Sequence, residues 1–140
     1  MSRRAARKHA FILLFQKEFH DEDELQEQAR LYFEGCGPIS EENLEFITRE
    51  TLGVSKNLET IDGLIVKNLT GWDIDRINKI DLAIIRLAVY EMLYENKIPA
   101  GVSIYEAVEL AKQYGTDESY QFVNGILGKI FALLEDENNG

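Results

Sequence analysis

The hydrophobic residues of this chain recur at helical spacing along almost its whole length. Residues 3–19 predict a first helix, and its middle, residues 10–15, is apolar on every side, which indicates a central position in a bundle. Residues 23–34 predict a second helix, which the Gly35-Cys36-Gly37-Pro38 cluster ends. The first part of the chain therefore reads as two helices joined by a short connection.

A third segment carries a single apolar stripe at spacings of three and four residues. This pattern predicts one helix of roughly 26 residues, as in an antiparallel bundle. Gly53 and Gly63 lie off the stripe, where each weakens the helix by about 1 kcal/mol relative to Ala. Gly71 and Trp72 then mark a junction between two subdomains. The stripe consists of Leu44, Ile47, Thr51, Val54, Leu58, Ile61 and Ile65.

The second half of the chain repeats this organisation. A short helix from Asp73 leads into residues 81–94, which are apolar around most of the circumference and predict the core helix of a second bundle. Ser103 and Glu106 have the spacing of a capping box, which predicts the start of the next helix. Asp117 is placed to cap a last helix.

These elements predict an all-α fold of two packed three-helix bundles with about seven helices. We expect one domain over residues 1–140, with a first subdomain over about 1–70 and a second over about 71–135. Residues 136–140 are expected to form a flexible acidic tail.

The residue composition argues against several functional classes. One cysteine, Cys36, excludes an intramolecular disulfide framework, and His9 and His20 leave little for a metal site. No secretory signal or membrane-spanning apolar run is evident, which predicts a cytoplasmic protein. Phosphate-binding glycine loops and a nucleophile paired with a base are missing from the sequence, so we expect no enzymatic activity, cofactor or metal.

The charge is distributed unevenly, and this suggests two kinds of partner. The net charge is −10, with +4 on residues 1–20 and −14 on the other 120. A basic arm favours a polyanion and an acidic body favours a basic partner, although a merely solubilising acidic surface is the simpler alternative. The cations of the arm, at helical spacings, are Arg3, Arg4, Arg7 and Lys8.

An aromatic residue in the last helix adds to the case for RNA. Phe122 and Lys129 lie on the same flank of that helix's apolar stripe, where Phe122 could stack on a base. An aromatic residue at a stripe edge is also a common margin of the core, and that alternative stays open.

Several long motifs, in order, resemble the bacterial NusB family of transcription antitermination factors. The resemblance begins at Arg3-Arg4-Ala5-Ala6-Arg7 and continues with Trp72, Arg76-Ile77 and the core helix from Ile80-Asp81 to Tyr90-Glu91. Further matching segments are Ile98-Pro99, Glu106 to Gly115, and Phe122-Val123-Asn124-Gly125-Ile126-Leu127. Gly128 and Tyr105 depart from the family's usual residues at their positions.

The resemblance implies a non-enzymatic protein that regulates transcription termination and antitermination. Its implied partners are boxA-type single-stranded RNA of ribosomal-RNA leaders, the small-subunit ribosomal protein NusE, and the RNA polymerase antitermination complex. The implied RNA-binding residues are Arg3, Arg4, Arg7, Lys8, Gln121, Phe122, Asn124 and Lys129. The implied NusE surface consists of Asp81, Tyr114 and Glu118.

Two other interpretations remain at this point. The chain could be a purely protein-binding helical adaptor, or it could resemble the RNA-binding region that is attached to ribosomal-RNA methyltransferases. The sequence also leaves open whether the free protein is a monomer or a homodimer.

Overall fold

The computed structural model describes residues 1–19, 21–71 and 73–139, without the side chains of residues 22, 25, 26 and 139. His20, Trp72 and Gly140 lie outside the described residues, and with them the proposed junction at Trp72 and the end of the predicted tail. The predicted all-α fold is confirmed, since every regular element in the described ranges is helical. The elements are α1 (Arg3–Lys17), α2 (Glu22–Gly35), α3 (Glu41–Lys56), α4 (Leu58–Lys67), a 3₁₀ turn (Ile74–Arg76), α5 (Lys79–Tyr94), α6 (Ala100–Tyr114) and α7 (Ser119–Asn139).

The helices form two compact units, Met1–Leu52 and Gly53–Gly140. The division falls inside α3, whereas the sequence placed a subdomain boundary near residue 70. Helix α4 belongs to the second unit because it packs on α5 and α7. The arrangement as two three-helix bundles stays a prediction.

In the first unit, α1 contributes the buried apolar residues that its sequence predicted. Ala6, Ala10 and Phe11 are buried, as are Leu13 and Leu14. Ser2 caps this helix, because its hydroxyl accepts a hydrogen bond from the amide of Ala5 at 3.0 Å.

The single long helix predicted across residues 44–65 is wrong, because the chain breaks at Asn57. Helix α3 ends at Lys56, and α4 begins at Leu58. The Asn57 side-chain amide donates to the carbonyl of Gly53 at 2.8 Å, and this carbonyl also accepts from the Asn57 backbone amide at 3.1 Å. Asparagine competes for backbone partners in this way, and it ends the helix without interrupting the spacing of the apolar residues.

The second unit is built around α5, which packs against α4, α6 and α7. Its residues are buried around most of the helix, as the sequence predicted. Arg86 of α5 forms two hydrogen bonds with the Asp62 carboxylate of α4, at 2.8 and 2.9 Å, and this pair joins the two helices. The core of the other helices consists of Ile61, Ile65, Ala107, Leu110, Ala111, Val123, Ile126, Leu127 and Ile130.

Two predicted helix ends differ from the structure. The capping box at Ser103 is wrong: α6 begins earlier, at Ala100, with Pro99 as its N-cap residue. Ser103 is buried, and its hydroxyl donates to the Glu91 carboxylate at 2.8 Å. Helix α7 starts at Ser119, not beside Asp117, and it continues through residues 136–139 of the expected tail. The mobility of that segment remains a prediction.

Within the described part of the chain, no helix has both the length and the apolar character needed to cross a membrane.

Candidate nucleic-acid interface

The basic arm is an ordered helix start that is held against α3. The side-chain amide of Asn43 donates to the carbonyl of Met1 at 2.8 Å, which fixes the chain just before α1. The first turn of α1 contains no acidic residue. The exposed Arg3 and Arg4 therefore add their charge to the positive end of the helix dipole, and this combination favours an anion at that place.

The four cations of the arm lie on two different sides of α1. Arg3 and Arg7, four residues apart, face the fully buried ring of Phe46, and their guanidinium carbons lie 4.1 and 5.5 Å from its centroid. Arg4 is exposed and Lys8 is partly exposed on the neighbouring side. Arg7 has only 5% of its surface exposed, so its guanidinium acts within the protein, whereas the other three cations reach solvent.

Phe46 also contacts a third arginine, which the sequence did not single out. The guanidinium carbon of Arg49 lies 5.7 Å from the centroid of the same ring. Phe46 had no place in the predicted stripe, which contained Leu44 instead, and Leu44 is 42% exposed. The buried side of α3 includes the polar residues Asn43 and Glu50, and a pattern of apolar residues alone could not reveal this side.

In the second unit, Gln121, Phe122 and Lys129 come together in one groove of about 270 Å³. The opposite wall is the segment that follows α4, with the polar side chains of Asn68 and Thr70. Gly125 lies between Phe122 and Lys129, and the space beside its Cα is open. Asn124 is exposed but does not line this groove, and residues 68–70 were not among the residues predicted from the sequence.

A second groove, of about 320 Å³, contains two of the three predicted protein-partner residues. Asp81 and Glu118 line it together with Arg76, and Phe122 borders this groove as well as the first. Tyr114 is half-buried at the end of α6 and is not among the lining residues. The structure therefore unites Asp81 and Glu118, and it makes Phe122 common to both grooves.

Asp81 has a structural role at the start of α5. Asn78 caps the helix by accepting from the Asp81 amide at 2.8 Å, and the Asn78 side chain donates to Asp81 Oδ2 at 3.0 Å. Asp81 is only 4% exposed, and its Oδ1 has no hydrogen-bond partner in the described part of the chain. A buried carboxylate oxygen with unused hydrogen-bonding capacity, at the wall of a groove, is suited to accept a hydrogen bond from a partner protein.

The surroundings of His9 lower its pKa. Burial and, to a smaller extent, the charge of Lys8 lower the pKa of His9. A ring nitrogen of His9 is hydrogen-bonded to the hydroxyl of Tyr32 in α2. Both effects favour the neutral imidazole of His9 over its charged form.

The arm and the Phe122 groove belong to different units, and each stands as a separate candidate surface. Among the described residues, no three His, Cys, Asp or Glu side chains cluster in a way that could hold a metal ion. Cys36 is a partly buried free thiol.

The model of the NusB family matches residues 4–132 of this sequence. The chain belongs to the NusB family. One relative, the transcription antitermination protein NusB of Lachnoclostridium phytofermentans, is 42% identical over 130 residues, which span 93% of this chain and 98% of that protein.

Solved NusB structures have the same fold. NusB from T. maritima is 38% identical and matches with a TM-score of 0.80, covering 93% of this chain and 90% of its own. A crystal structure of the antitermination factors NusB and NusE in complex with dsRNA contains a chain that is 26% identical. It matches with a TM-score of 0.81 and covers 94% of this chain and 96% of its own.

Proposed function

We propose that this protein is a transcription antitermination factor that binds boxA-type RNA together with NusE. In this proposal it acts in the cytoplasm on ribosomal-RNA leader transcripts, as part of the RNA polymerase complex that reads through terminators, and it catalyses no reaction. The observation that carries the proposal is membership of the NusB family over residues 4–132. A relative that matches this chain over 98% of its own length bears the name of transcription antitermination protein.

RNA binding is supported by the chemistry of two surfaces. Arg3, Arg4 and Lys8 offer cations for phosphates at the positive end of α1, and Arg7 supports this surface from within the protein. The Phe122 groove combines an aromatic ring, which can stack on a base, with the Lys129 ammonium group. Gln121 and Asn124 supply exposed amides that can hydrogen-bond to bases or sugars.

NusE binding is supported by the acidic character of the rest of the chain. Residues 21–140 carry a net charge of −14, which suits a basic ribosomal protein. We assign NusE to the surface around Asp81, Glu118 and the neighbouring Tyr114. There the buried Asp81 oxygen can accept a hydrogen bond from the partner.

The test is fluorescence anisotropy of a labelled boxA-like RNA and a scrambled RNA of equal length, titrated with and without NusE over a series of salt concentrations. Four phosphate contacts, from Arg3, Arg4, Lys8 and Lys129, predict a slope of log K against log salt of about −3, and each further phosphate contact adds about −0.7. We expect selective binding of the boxA-like RNA that becomes tighter when NusE is present.

Two other results would contradict the proposal. NusE binding without selectivity between the two RNAs at any salt concentration would identify a protein-binding adaptor. Failure to bind both NusE and RNA would leave this chain with the family fold and a different function.

A further inference from the structure

We infer that Arg49 of α3 is a further RNA-binding residue that extends the cationic surface of the arm through the shared ring of Phe46. This inference rests on the proposed RNA-binding function and adds a contact to it. Arg49 lies far from the arm in sequence, on a helix whose first turn is acidic. Its connection to the arm is visible only in the folded unit.

Phe46 places the guanidinium groups of the arm and of α3 close together. The guanidinium carbons of Arg3 and Arg49 lie 4.1 and 5.7 Å from the same ring centroid, so they are no more than about 10 Å apart. This upper bound is about one Debye length at 0.1 M salt, so screening between the two charges is incomplete and both attract an anion placed between them. The ring is fully buried, which fixes the site around which both arginines gather.

Among its interactions, each of the two arginines has a long ion pair with an exposed carboxylate, and a phosphate can replace that carboxylate. Arg3 lies 3.7 Å from Glu42, and Arg49 lies 3.8 Å from Glu45. These ion pairs are long, and the side chains of Glu42 and Glu45 are 87% and 77% exposed, so solvent weakens the attraction. A phosphate can form shorter, bidentate bonds with a guanidinium, and exchange of a glutamate for RNA is therefore favoured.

Arg30 in α2 differs in this respect and offers a matched control. Its guanidinium bonds to Glu27 at 2.6 Å and to Glu34 at 2.7 Å. The hydrogen bond and charge of Arg30 lower the pKa of Glu27, and those of Glu27 raise the pKa of Arg30. Arg30 is exposed in the same unit, but two close carboxylates engage its donors.

The experiment compares R49Q, R49K and R30Q with the unsubstituted chain by anisotropy of the boxA-like RNA across a salt series. R49Q and R30Q remove the same charge from the same unit. We expect R49Q to weaken RNA binding roughly threefold to tenfold at low salt and to reduce the size of the salt slope by about 0.7. R49K should keep the slope, and R30Q should keep both the slope and the affinity.

A charge-matched comparison provides a second readout, because E45Q and E27Q each remove one negative charge. We expect E45Q to strengthen RNA binding, because it removes a carboxylate that competes with phosphate for Arg49, and E27Q to leave binding unchanged. Equal behaviour of R49Q and R30Q, while the unsubstituted chain binds RNA, would overturn this inference alone. Absence of RNA binding by the unsubstituted chain would overturn the proposed function and the inference with it.

Discussion

Replacing Arg4 or Arg7 by alanine should separate the RNA-binding role of the arm from its structural role. The Arg7 side chain is buried against Phe46, whereas Arg4 is exposed. Arg7→Ala removes two buried methylenes, at about 0.8 kcal/mol each, and a cation–π contact of about 0.5–2 kcal/mol. We therefore expect it to lower the free energy of unfolding by about 2–4 kcal/mol, and Arg4→Ala to change it by less than about 0.5 kcal/mol.

RNA binding should be affected by Arg4→Ala and not by Arg7→Ala, which is the reverse of their effects on stability. Arg4→Ala removes a phosphate contact and should reduce the size of the salt slope by about 0.7, whereas Arg7→Ala, measured below its unfolding temperature, should keep the slope. Urea unfolding followed by circular dichroism gives the stabilities, and anisotropy gives the slopes. If Arg7→Ala leaves stability unchanged and reduces the slope, Arg7 contacts phosphate directly and the reasoning from its burial is refuted.

Three further predictions concern stability and the Phe122 groove. Gly53→Ala should lower the free energy of unfolding by about 1–3 kcal/mol, because its Cβ would lie 2.3 Å from the Tyr90 ring. The Cβ of Gly63→Ala would meet open space, so this variant should raise the free energy of unfolding by about 0.5–1 kcal/mol. Urea unfolding measures both variants, and equal effects of Gly53→Ala and Gly63→Ala would contradict this prediction. Phe122→Ala should weaken RNA binding by about 1–3 kcal/mol in anisotropy, and unchanged affinity would assign Phe122 to the core margin. Because the pKa of His9 is lowered in the folded protein, the unfolded chain binds a proton at a higher pH than the folded protein does. The free energy of unfolding should therefore fall as the pH drops below about 6.5. His9→Gln should flatten that decline in urea midpoints measured between pH 7.5 and 5.5, and identical pH profiles would contradict the assignment.

The sequence predicts the helices well where apolar burial alone decides the structure. Helix α5 is buried around most of its circumference, as its apolar composition predicted, and α7 buries Val123, Ile126, Leu127 and Ile130, which recur at helical spacing. Periodicity failed at Asn57, because a one-residue break leaves the spacing of the stripe intact. The capping-box motif failed at Ser103, because the Ser103 hydroxyl instead donates a buried hydrogen bond to Glu91 of another helix.

The sequence predicted which kinds of residue the candidate site contains, but not how they are placed relative to one another. The spacing of the arm places cations on two sides of α1, yet only the position of Phe46 shows that Arg7 is turned inward. Arg49 gave no signal in sequence, since a single arginine among glutamates resembles an ordinary solvated helix face. Asn68 and Thr70 were missed because their role depends on the packing of the segment after α4 beside α7.

The position of Phe122 at the border of two grooves has a consequence for regulation. A ligand that contacts this ring from one side changes the wall that a ligand in the other groove meets. Binding in the two grooves is then linked, and linkage is reciprocal: each ligand changes the affinity of the other by the same factor. Under the proposed assignments, the concentration of free ribosomal protein would set the fraction of transcripts that the factor occupies. Antitermination of ribosomal-RNA synthesis would in this way respond to the supply of a ribosome component.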